Sequence, residues 1–528
     1  MKLSMARSVV LSAVAATCLV ASPSLSFGQQ QIDLSGAGQA IDKDILGSTF
    51  QHHRQWSKTG NDASMTVIAS GLLAETFNWQ TLQNTSTPWP TYWVMQTLRD
   101  DWNSEMIPIV NMRGFYNSSN QYKSDLAPLV TLASDWVRYT NGIVQNYHQG
   151  DVLGASDQAI INKIYSPGDP VLPAVGETAP PPVKYWIIGN EPEISVNGKK
   201  FTNRWNELPP WNNNNWDTAE YVNRYKQITN AMKAQDPTIK VGPGMLGDYN
   251  EMTWAPLLQS DATIDFWAYH VYDNLSDSYV PNGNASQVNA MEAQLRDVRP
   301  TQINNLAGVK NKIDSIRGAG TSDSMEFMVT EWNVMNGDLN DANVPSMYQA
   351  LGVAETFFSF AQMGLKSANY FGETVSANAP NGVSYPMTKL WQKLRDNMGD
   401  TLMNSIIDDG NNRRVYTTRD SQTGDISVWM LNLDNDSQTS FDLSLLGIDP
   451  MRHGTLTTLG GAGTKLWTET ADWSTPLDLG TFDVSDNFRI TVPSASIVLL
   501  QFTPVPEPAS IGLIGLGVLV VVGQRRRG

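Results

Sequence analysis

The chain has 528 residues, enough for two or three domains, and a formal charge of −16 with a pI of about 4.7. Acidity without basic runs argues against nucleic acid and anionic membrane surfaces as partners. A single cysteine, Cys18, leaves no disulfide or thiolate metal site, and the five histidines show no spacing that pairs two of them as ligands, so neither a metal nor any other cofactor is expected.

The N-terminus has the parts of a secretory signal. Lys2 and Arg7 form a short basic region, residues 9–20 are mostly apolar, and the small residues Ser24, Ser26 and Gly28 follow. Residues 1–28 are therefore read as a signal peptide, which would remove Cys18. The apolar stretch is short for a membrane anchor.

Short apolar runs then alternate with amphipathic stretches. The runs at 45–50, 73–79, 106–112, 183–189, 239–245, 265–272, 325–331 and 367–373 read as strands, nearly continuously apolar as when both faces are covered. Residues 126–147, 218–234, 346–363 and 385–398 repeat apolar residues at three- and four-residue steps and read as helices. Eight strands alternating with helices predict a (β/α)8 TIM barrel over 36–400. After about Leu402 alternating runs appear at 414–418, 426–433, 441–445, 488–492 and 497–502, separated by Asp, Asn, Ser and Gly turns. They predict an antiparallel β-sandwich domain over 402–503, with residues 30–36 as a candidate extra strand.

The last segment, 504–528, holds Pro506-Glu507-Pro508, an apolar run at 511–523 and the cluster Arg525–Arg527. In that order these parts resemble the PEP-CTERM sorting signal of exopolysaccharide-producing bacteria. The resemblance implies export to the cell surface or beyond, contact with a sorting and processing machinery, and transient transmembrane retention through this segment. A plain tail anchor is the alternative.

In a parallel barrel the reacting groups stand where strands end. WIIGNEPE, residues 186–193, carries an apolar strand straight into Asn190 and Glu191, with Pro192 behind to stop the ladder. FMVTEWN, residues 327–333, does the same for Glu331. Two acids at the ends of strands four and seven can face each other across a cleft, the arrangement of glycoside hydrolysis: one carboxyl protonates the leaving oxygen and the other attacks the sugar carbon or activates water. Strand six, DFWAYHVYD at 265–273, points His270 and Tyr272 the same way. Trp332, Tyr370 and Glu373 sit at strand ends and are candidate pocket residues. Arg113 and Arg54 follow strands three and one, where they would steady a negative charge. The loop at 206–216 carries Trp211 and Trp216 either as sugar platforms or as packing.

Asn-Glu-Pro after strand four, with Thr-Glu-Trp-Asn after strand seven, resembles the clan A glycoside hydrolases, nearest the α-L-arabinofuranosidase and β-xylosidase barrels. The resemblance implies a retaining enzyme in which Glu191 is the acid/base, Glu331 the nucleophile and Asn190 the partner of a sugar 2-hydroxyl. It further implies substrate contact for His270 and an orienting bond from Tyr272 to Glu331. The expected substrate is a plant or algal polysaccharide or a derived oligosaccharide. A non-catalytic carbohydrate-binding or structural surface protein on the same barrel is the competing expectation, and the presence of both acids favours the enzyme.

Overall fold

The structure, a computed structural model, describes residues 30–50, 65–68, 91–102, 104–110, 112, 115–116, 122–123, 125–162, 170–191, 218–247, 251–272, 275–334, 346–371 and 385–505. The chain divides into two compact units. One runs Ala40–Asp396 and includes Lys465–Asp472; the other takes Asn397–Thr464, the residues up to Gln39 and those from Trp473 onwards.

The first unit is built on eight strands, Gly47–Phe50, Met65–Ile68, Glu105–Val110, Tyr185–Ile188, Lys240–Met245, Phe266–Tyr272, Glu326–Asn333 and Ser367–Tyr370, called barrel strands one to eight. Each pairs in parallel with the next and the eighth with the first, so the ring closes. Two expectations shift. Strand two is Met65–Ile68, whereas the run at 73–79 lies outside the described residues; strand one begins only after a short 3-10 turn, Lys43–Leu46.

Alternation along the strands fills the interior. Ile107, Ile109, Tyr185, Ile187, Phe266, Ala268 and Met328 form one buried cluster, two residues apart on each strand that supplies a pair. The residues between them face the helices: Trp267 meets Trp254 of the helix Glu251–Gln259, with centroids 4.8 Å apart. Strands two to eight are each followed by a helix, the longest being Ala285–Arg317 after strand six. Helix Met347–Met363, after strand seven, is buried from Met347 through Ala361, the polar Gln349 and Glu355 included.

The second unit has two sheets. One has three strands, Gln30–Asp33, Thr439–Leu446 and Phe488–Val492; the larger includes Arg413–Arg419, Ile426–Asn432, Met451–Leu459, Leu477–Asp483 and Ser496–Pro504. Ile32, Phe441, Leu443 and Ile490 of the small sheet share a core with Val415, Val428, Met430, Val498 and Leu500 of the large one, so the sheets stack through their apolar faces. The N-terminal strand pairs in parallel with Thr439–Leu446.

The transmembrane retention expected of the chain is corrected. Among the described residues no helix is long and apolar enough to cross a membrane. The signal peptide and the residues from Pro506 onwards lie outside the described set.

Candidate active site

Strand four delivers its acid through a tight backbone turn. Gly189 has φ +77°, and a Cβ there would stand 2.4 Å from the Met112 sulfur, so the position admits glycine. Glu191 itself takes a left-handed φ of 44°, uncommon for a residue with a side chain and costing roughly 1–3 kcal/mol. Its N–H donates to the Gly244 carbonyl at 2.8 Å, tying the turn to strand five. A Cβ on Gly244 would lie 2.7 Å from the Gly189 oxygen, so two glycines let the strand ends approach.

Strand seven delivers its acid through a β-bulge. Ala268 pairs with Met328 and Tyr269 with Val329, but His270 pairs with Glu331, so Thr330 is an extra residue. Met328 faces the interior. Strict alternation would then point Thr330 and Trp332 inward and Glu331 towards the helices. The bulge reverses this and puts Glu331 on the same face as His270.

Three side chains from strands four, six and seven thereby meet. His270 Nδ1 lies 2.7 Å from Glu191 Oε1 and 3.4 Å from Glu331 Oε2, and the Tyr272 hydroxyl donates to Glu331 Oε2 at 2.9 Å. One oxygen of each glutamate and the imidazole nitrogen all lie within 4.8 Å of one another. Glu191, His270 and Glu331 are buried. Burial pushes the Glu331 carboxyl up to about 7; the Glu191 charge adds to the rise, while His270 and the Tyr272 hydroxyl pull against it. Two buried carboxyls with an imidazole nitrogen beside both can hold and pass a single proton between them.

The remaining candidates separate. Asn190 is buried beside Glu191, and its Oδ1 has no hydrogen-bond partner among the described residues, which leaves an acceptor for an incoming hydroxyl. His270, expected to touch substrate, lies against both carboxyls. Trp332 and Tyr370 correct the expectation of a pocket lining. Trp332 is fully buried on the helix side of the wall, its ring 5.0 Å from Tyr370, 5.3 Å from Phe360 and 6.1 Å from Trp391. Tyr370 is equally buried, donating to Asn333 Oδ1 and accepting from Gln349. Both brace strand seven from behind. Glu373, Arg113, Arg54, Trp211 and Trp216 lie outside the described residues. Sequence reading missed the brace itself, Asn333, whose amide donates to the Phe371 carbonyl at 2.8 Å and ties strand seven to the end of strand eight.

Comparison with known proteins gives two findings. Residues 504–527 match the PEP-CTERM protein-sorting motif, which marks the chain for export and surface sorting. No curated protein matches the chain in sequence. In fold it is similar to the α-L-arabinofuranosidase of Thermotoga maritima, with a TM-score of 0.61 at 15% identity over 90% of this chain and 99% of the other. It is similar too to a Paenibacillus polymyxa xyloglucanase of glycoside hydrolase family 44, with a TM-score of 0.59 at 12% identity and the same coverage. The endoglucanase Cel44A of Clostridium thermocellum follows, with a TM-score of 0.57 at 12% identity over 90% and 99%. These neighbours are clan A glycoside hydrolases; likeness at such identity speaks for the fold alone.

Proposed function

We propose that the chain is a retaining glycoside hydrolase of the cell surface or its surroundings, acting on plant or algal polysaccharides or their oligosaccharides. The observation that carries this reading is the meeting of Glu191 and Glu331 at the ends of two barrel strands, both buried, with an oxygen of each within 4.8 Å of the other. Retaining enzymes place their carboxyls about 5–5.5 Å apart, whereas inverting ones need about 6.5–9.5 Å for a water between them.

In the first step Glu331, ionised, attacks the anomeric carbon while Glu191 gives its proton to the glycosidic oxygen. The bond to the leaving sugar breaks and a glycosyl ester forms on Glu331. In the second step Glu191, now ionised, takes a proton from water, whose oxygen attacks the same carbon and releases Glu331. The Tyr272 hydroxyl supports the ionised Glu331. His270 Nδ1, 2.7 Å from Glu191 Oε1, holds that carboxyl in place through both steps. Asn190 Oδ1 would accept from the sugar 2-hydroxyl. The arabinofuranosidase and xyloglucanase among the neighbours support a substrate drawn from plant cell walls.

The test is a panel of aryl arabinofuranosides, xylosides, glucosides and galactosides beside intact polysaccharides. At least one should be hydrolysed, and Glu331→Gln should lower kcat at least about a thousand-fold while substrate still binds. Normal turnover by that variant would remove Glu331 from the chemistry. Binding of polysaccharide without any hydrolysis would favour a carbohydrate-binding protein on the same barrel.

A further inference from the structure

We propose that Glu191, His270 and Glu331 also form a site for one divalent transition ion of the zinc type, which excludes substrate while it is bound. The exclusion of substrate rests on the hydrolase reading; the binding of the ion does not.

The donor set is mixed: a carboxylate oxygen of Glu191, a ring nitrogen of His270 and a carboxylate oxygen of Glu331 lie within 4.8 Å of one another, and His270 Nδ1 faces both Glu191 Oε1 and Glu331 Oε2. None of the three side chains is more than 9% exposed. Around a four-coordinate ion with bonds of about 2.0–2.1 Å, ligand atoms stand about 3.3 Å apart. The 3.4 Å between His270 Nδ1 and Glu331 Oε2 already has that spacing, and the 2.7 Å between His270 and Glu191 reaches it if the carboxylate swings out by roughly 0.6 Å. Among the described residues His270 is the only ion-pair partner of either glutamate, so an entering cation meets two carboxylates and displaces no described lysine or arginine.

A second feature points to a ligand. Asn190, 8% exposed and next to Glu191, keeps its Oδ1 buried without a hydrogen-bond partner among the described residues. An amide oxygen only accepts, so its complement is a donor such as a metal-bound water, or a cation. The frame is also fixed in advance. A Cβ on Gly247 would fall 2.2 Å from the His270 carbonyl oxygen, so the backbone beside strand five packs directly on the end of strand six.

The donors select the ion. One imidazole nitrogen with two carboxylate oxygens suits Zn2+, Co2+ or Cu2+, whereas Ca2+ takes about 6–8 oxygens and Mg2+ keeps most of its water. Three protein ligands leave the fourth position open to water. The lone pairs that hold the ion are those the reaction uses: ligated Glu331 cannot attack carbon, and ligated Glu191 cannot carry a proton.

The experiment uses the full chain after chelator treatment. Titration with Co2+ should produce the visible bands of four-coordinate cobalt, saturating at one equivalent, and calorimetry with Zn2+ should give the same stoichiometry, with Mg2+ silent. His270→Ala and Glu331→Gln should each weaken binding at least about ten-fold, with circular dichroism confirming their fold. If His270→Ala does not fold, His270→Gln and Glu331→Gln carry the comparison. The product sugar of whichever aryl glycoside is cleaved should bleach the cobalt bands. Absence of the bands, or binding unchanged in the folded variants, overturns the site. Cobalt binding in a chain that cleaves no glycoside would leave the ion site standing and remove the hydrolase reading; cleavage without cobalt binding would do the reverse.

Discussion

Glu331 reaches the interior of the barrel only because Thr330 is an extra residue opposite strand six. The identity of the acid was legible in Thr-Glu-Trp-Asn, but its direction was not, since a bulge changes which face every later side chain takes without marking the sequence. Trp332 was misplaced for the same reason. His270 and Tyr272 were legible as a pair from their spacing on one strand, and the structure puts them on the glutamates at 2.7 and 2.9 Å. Their environment decides the pH dependence. The working state carries one proton on the two carboxyls, with Glu331 ionised. Burial holds the Glu331 proton up to about 7, so kcat/KM should rise as pH passes through about 7 and the nucleophile ionises. Tyr272→Phe removes the hydroxyl that favours the ionised form. It should move the profile alkaline by on the order of one pH unit, since a hydrogen bond to a charged group is worth about 1.5–3 kcal/mol. A profile that stays in place would mean Tyr272 does not hold the nucleophile.

Elements were legible where burial is continuous. Strands three to seven declared themselves as apolar runs closed on both faces, and helix Met347–Met363 by its period. Helix Ala285–Arg317 escaped although Val288, Met291, Leu295, Val298, Gln302, Leu306, Val309 and Ile313 fall at helical steps. Pro300 and Gly308 break the run to the eye, and the long exposed side is polar. The Asn284 capping box, bonding to Ser286 and Gln287, was the missed start signal. Strand Leu477–Asp483 lies at the edge of its sheet and buries no residue fully, so it has no apolar alternation to read. The turn after strand four makes a prediction at this scale. Gly189→Ala meets both a left-handed backbone and the Met112 sulfur, and should cost at least about 1–2 kcal/mol in thermal unfolding. It should also lower kcat, by displacing Glu191. A variant as stable and as active as the parent would show the turn to be unconstrained.

At the scale of the whole chain, the order of parts was legible from texture alone, because a covered parallel sheet and a stacked antiparallel one impose different periods. The loops that shape a substrate cleft were not, since their lengths carry no period. The site also leaves its mark on stability. Glu331 has a folded value of about 7, above its ordinary 4.5, so the folded barrel holds a proton that the unfolded chain gives up. Its contribution is fully present below about pH 4.5 and is lost as pH rises through about 7. Glu331→Gln removes that penalty. It should match the parent near pH 4.5 and exceed it by up to about 3 kcal/mol at pH 8 in denaturant unfolding. A difference that does not change with pH would mean the carboxyl is not under that pressure. The central claim, double displacement on Glu331, is tested most directly by proton NMR of the first product formed from an aryl glycoside that the chain cleaves. The account predicts a sugar with the substrate's anomeric configuration; the opposite anomer appearing first would contradict it.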